Sequence, residues 1–135
     1  MGRTRSCDQT VRRGRMRKAE QFFHLAEIGR ELADESDGVD DAVVTSLVHA
    51  GIAASDVICC ARLGKHAQGE DHKDAIRLLG SADQAMAKYL NVLLGLKTRS
   101  SYTDTPTSRD ESMRARRAAE ALIEAARRAH AQAGN

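Results

Sequence analysis

The chain has 135 residues, enough for one domain with a real core, and 41% of them are apolar. Aromatics are only 3%, with no Trp and a single Pro, so the core must be built from Leu, Ala, Val, Ile and Met, a mixture that favours helices over sheets. The net charge of +2 hides an asymmetry: residues 1–18 hold seven cations and one carboxylate, a net of +6, which leaves −4 for the rest.

Such a basic arm on a mildly acidic body suits a contact with nucleic acid or an acidic partner, or it is a solubilising tail. Residues 1–15 therefore read as a basic flexible arm, disordered over residues 1–10, and residues 16–132 as a single helical domain. Apolar periodicity predicts a first helix over residues 11–32, with Phe22, Phe23, Leu25, Ala26, Ile28 and Leu32 on one helical face. It should end in Asp34-Glu35-Ser36-Asp37-Gly38, with Gly38 as the stop. The second helix, over residues 40–63, is apolar nearly all round, as befits the buried centre of a bundle or an oligomer interface. Its small-residue patch at Ala50, Gly51, Ala53, Ala54 and Ser55 would let a neighbouring backbone approach closely.

A polar loop at residues 64–69 precedes a short helix over residues 75–79, opened by Asp71-His72-Lys73-Asp74 and broken at Gly80. Ser81 with Gln84 reads as a capping box that starts a helix running to about Lys97. Residues 98–107 are polar and contain Pro106, so they read as a loop. Ser108 with Glu111 is a second capping box, opening a last helix with a narrow Ala-rich face. The expected fold is all-α: an up-and-down antiparallel bundle of four main helices plus one short helix.

Three cysteines without a Cys-x-x-Cys spacing argue for reduced thiols and for a cytoplasmic protein. Neither a membrane span nor a signal peptide is apparent. The five histidines form no zinc set. His66 and His72 share a loop with Glu70 and Asp71, a weak metal signal, and His72 at a helix start suits a cap or loop anchor better, so no metal or cofactor is expected. The second helix carries Thr45, His49 and Asp56 along one stripe, because four- and seven-residue steps return to the same side. A carboxylate in so apolar a helix needs a partner, and Arg99 or Lys97 is the expected one. That pair is either structural or a polar pocket in which Asp56 orients Arg99 toward a phosphate. The segment from Lys97 through Arg99 to Tyr102 groups two cations and a phenol at a helix end.

The order of these parts resembles the HEPN (higher eukaryotes and prokaryotes nucleotide-binding) family. The opening helix around Lys18-Ala19-Glu20-Gln21-Phe22-Phe23, the apolar helix around residues 51–63, His72-Lys73-Asp74-Ala75-Ile76-Arg77-Leu78-Leu79 and Arg99-Ser100-Ser101-Tyr102 carry the resemblance, which spans residues 16–130. It implies a homodimeric helical module that binds nucleotide or RNA, or that serves as the partner of a nucleotidyltransferase-like or antitoxin protein in a toxin–antitoxin or defence system. Active members are metal-independent ribonucleases with an arginine and a histidine separated by four to six residues. Here the positions after Arg99 hold Asp104, Thr105 and Pro106, and the next histidine is His130. The implied ligand set is Lys97, Arg99, Asp56 and His49. If the chain is a ribonuclease, Arg99 would stabilise charge, and Tyr102 or His49 would move protons.

Overall fold

A computed structural model describes residues 2–33 and 38–134. Five helices dominate: α1 (Gln9–Leu32), α2 (Asp40–Leu63), α3 (His72–Ala82), α4 (Ala87–Tyr102) and α5 (Arg109–Ala133). A two-stranded antiparallel ribbon joins β1 (Thr4–Ser6) to β2 (Lys65–Ala67), with Arg5 opposite His66. The all-α class holds, and the ribbon is its single addition among the described residues.

The helix starts follow from local chemistry. The Asp8 side chain accepts from the Val11 amide and caps α1, and Asp71 does the same for Asp74 at α3. Ser108 and Glu111 form the reciprocal box expected from their spacing. At the far end of α2, Gly64 takes the left-handed conformation (φ 72°) that a Cβ would disfavour, and its amide bonds back to Cys60.

α2 is the hub, with α1, α4 and α5 packed against it. Val44, Leu47, Val57 and Ile58 of α2 are fully buried with Leu90 and Leu93 of α4 and Leu122 of α5. Gly51 shows why small residues were needed. A Cβ built there would lie 2.2 Å from Leu93 Cδ1 and 3.3 Å from Leu122 Cδ1, so two helices converge on a site that only glycine leaves open. By length and composition α2 could cross a membrane, but 72% of its most apolar window is buried inside the protein. Its apolarity serves the core. Paired forks, Arg116 to Glu27 and Arg127 to Glu20, tie α5 to α1 with the two helices antiparallel.

Several expectations need correction. The arm is not a free tail: Thr4–Ser6 form a strand, α1 begins at Gln9, and Arg12 and Arg15 make tertiary contacts. The thiols are not all reduced, because Cys7 and Cys60 form a disulfide across 5.7 Å between Cα atoms, leaving Cys59 free and buried. Gly80 does not break α3, which runs on to Ala82, and Ser81 is no cap. Its hydroxyl donates to the Arg77 carbonyl inside that helix. α4 then follows a 3₁₀ turn at Gln84–Met86 and extends through Tyr102, so residues 98–102 are helical and not loop. The expected acidic end of the first helix at residues 34–37 lies outside the described residues, although Gly38 does adopt a positive φ of 62°.

Candidate functional site

α1, α4 and α5 pack on α2, and a polar stripe of that helix, only partly covered, lies between α1 and α4. Thr45, His49, Ile52 and Asp56 follow one another at steps of four, three and four, and so share one face of the helix. α1 contributes Arg15 and Phe22 to this face and α4 contributes Lys97, Ser100 and Ser101. At one end the Thr45 hydroxyl donates to Ser100 Oγ at 3.1 Å and lies 3.1 Å from Ser101 Oγ, which fixes α4 against α2. In the middle the Phe22 ring stacks on His49, with centroids 5.1 Å apart. Desolvation, then the positive charges of Lys97 and Arg15, hold the His49 imidazole below its usual pKa, so it is neutral at pH 7.

Asp56 closes the other end. Arg15 reaches it through Nε at 3.0 Å and Nη2 at 2.9 Å, and His66 Nδ1 lies 3.8 Å from its second oxygen. The His66 Nδ1 also donates to the Ala67 carbonyl at 2.8 Å, which orients the ring. Burial raises the Asp56 carboxyl above the ordinary range, against the opposing pull of Arg15 and His66. Beyond Asp56 a cleft of about 100 Å³ opens between α2, α3 and α4, lined by Ser55, Cys59, His72 and Lys97 among others. The Cys59 thiol is pushed up to about 12, first by burial and then by the Asp56 charge, so it is no nucleophile.

The expected site residues thus divide. His49, Asp56 and Lys97 share this face; Arg99 and Tyr102 do not. The anticipated pairing of Asp56 with Arg99 is incorrect, because Arg99 forms its ion pair with Glu111 in the first turn of α5, where Glu111 also completes the cap. Tyr102 is 75% exposed at the end of α4. The partner of Asp56 is Arg15, which had been assigned to the arm. The one signal for it was its place seven residues before Phe22, on the same side of one helix. Among the described residues no carboxylate pairs with Lys97, and no group of three or more His, Cys, Asp or Glu is placed to hold a metal. No protein-family model matches the chain, and no curated protein matches it. The arrangement offers a neutral imidazole on an aromatic ring, one committed cation and one uncommitted cation, on a face that solvent can reach.

Proposed function

We propose that the chain is a HEPN-like binding module that takes the phosphate of a nucleotide or a single-stranded RNA segment on the open face of α2. One observation carries this reading: Lys97, free of any carboxylate among the described residues, and Arg15 flank His49 on that face. Phe22 and His49 supply ring surface for a base, Lys97 supplies the phosphate contact, and Asp56 holds Arg15 in place. The homodimer and the antitoxin or nucleotidyltransferase-like partner that the resemblance implies belong to the same reading. They are supported by Leu25, Ile28 and Leu32, an exposed apolar stripe on α1 at steps of three and four.

The test is fluorescence anisotropy with a labelled single-stranded RNA over a salt series. Lys97→Ala should weaken binding about tenfold and flatten the log–log salt slope by roughly 0.7, one phosphate contact fewer. Arg99→Ala, which touches only the α5 cap, should leave the affinity within about twofold. Equal affinity for wild type and Lys97→Ala would overturn the reading.

A second reading rests on the neutral His49. It would accept the proton of an RNA 2′-hydroxyl as that oxygen attacks phosphorus, while the bond to the 5′-oxygen breaks and that oxygen leaves as a hydroxyl with a proton taken from water, Lys97 stabilising the added charge. An RNA cleavage assay in EDTA with wild type and His49→Ala decides between them. Turnover lost in the variant supports a ribonuclease, and binding without turnover supports the module.

A further inference from the structure

The N-terminal ribbon builds a second concave surface, on the other side of Ala67 from the cleft beside Asp56 and lined by different charged residues. Gly2, Arg3 and Thr4, Lys65 and Ala67 of β2, and Asp74, Arg77, Leu78 and Ser81 of α3 line an open groove of about 230 Å³. Three cations line it, Arg3 just before β1, Lys65 of β2 and Arg77 of α3, with two hydroxyls, Thr4 and Ser81. Asp74 is the carboxylate that lines this groove, and it is engaged by Arg77 at 3.2 Å; Glu70 and Asp71 line the adjoining groove that shares Arg3. Among the described residues no ion pair is made by Arg3 or Lys65. Cations left without partners around a concave surface favour an anion, and guanidinium forks suit oxyanions in particular.

What holds this groove together is unusual. All three residues of β1 are exposed, so burial contributes little to keeping the strand in place. A two-stranded ribbon is marginal in water, and chain ends fray. Backbone bonds from Gln68 N to the Arg3 carbonyl (2.9 Å) and from Cys7 N to the Gly64 carbonyl (3.0 Å) add to the ladder. The covalent tie is the Cys7–Cys60 disulfide. α1, in contrast, is anchored by its own contacts, Arg15 to Asp56 and Arg12 to His130 Nδ1 at 2.9 Å. Opening the disulfide would release residues 2–7 and leave the helices packed.

We propose that Arg3, Lys65 and Arg77 form a binding site for a phosphate-class oxyanion, and that the site is assembled only while the Cys7–Cys60 disulfide is closed. A dithiol reductant would dismantle it. The sulfur–sulfur bond breaks, Cys7 and Cys60 Sγ each gain one electron and one proton, and the dithiol leaves as its own disulfide. The anion comes either free or as part of a nucleic-acid backbone, and both share this chemistry.

The experiment is an amide-shift titration of oxidised, isotope-labelled protein with inorganic phosphate at constant ionic strength. A parallel arm uses a short single-stranded oligonucleotide. Saturable shifts should cluster at Lys65, Arg77 and Ser81, and the double variant Arg3→Gln/Lys65→Gln should weaken binding at least tenfold. A dithiol, or Cys7→Ser, should do the same while circular dichroism keeps the helical signal. Tighter, salt-dependent binding in the oligonucleotide arm assigns the site to a nucleic acid, and equal binding assigns it to the free ion. Lys97→Ala should not move these shifts, so failure here is distinguishable from failure of the open-face reading. Shifts that do not saturate, or that ignore the double variant, overturn the site. An unchanged Kd on reduction overturns its redox dependence.

Discussion

Asp56 shows how a single residue sets the cost of a polar stripe on an apolar helix. Its side chain is only 13% exposed, and burial alone would drive it toward the neutral form. Arg15 offsets that cost through two nitrogens on one oxygen. Removing one partner of a buried pair costs more than the pair itself contributes, because the remaining charge stays desolvated. Arg15→Ala should therefore destabilise the fold by about 3 kcal/mol, read from urea unfolding near pH 7. The sign with pH follows from the same carboxyl. Without Arg15 its pKa rises further, so the variant should recover part of its stability as the pH falls and Asp56 takes a proton. A loss below 0.5 kcal/mol, or one that grows toward acid, would show that Asp56 is better solvated than its position implies.

At the scale of the elements, the capping chemistry and the small-residue patch were legible in the sequence, while the long-range pairings were not. Ser108 with Glu111 could be read because a capping box is local, closing within one turn. Ser108→Ala should accordingly cost about 1 kcal/mol, measured by the same unfolding transition. Gly51 could be read as a close-approach position, but not which helices approach. Leu93 and Leu122 are 42 and 71 residues away, and nothing local encodes that meeting. With both leucines fully buried and unable to swing aside freely, Gly51→Ala should destabilise by about 1–3 kcal/mol. The breaks assigned to Gly80 and Ser81 were misread for the converse reason. Packing of α3 overrode a local propensity of about 1 kcal/mol. The role of Arg15 was hidden in the same way, since a charge count over residues 1–18 cannot say which cations meet a buried carboxylate 41 residues on.

For the whole molecule, the decisive constraint is one that cysteine counting pointed away from. Three cysteines with no repeated spacing resemble reduced thiols, yet α1 and α2 run antiparallel and bring Cys7, just before one helix, beside Cys60, in the last turn of the other. The bridge spans 53 residues of sequence. If it acts by restricting the unfolded chain, a loop of that length contributes about 4 kcal/mol, and native contacts need not change when it opens. Reduction should then lower the midpoint of urea unfolding substantially, while the slope, set by the surface exposed, rises slightly because the reduced unfolded chain expands. Cys7→Ser should reproduce the reduced protein, whereas Cys59→Ser should not respond to the presence of a dithiol differently from wild type, since Cys59 takes no part in the bridge. A reduced protein as stable as the oxidised one would mean that strain in the native state consumes the entropic gain, and the ribbon would then have to be held by its hydrogen bonds alone.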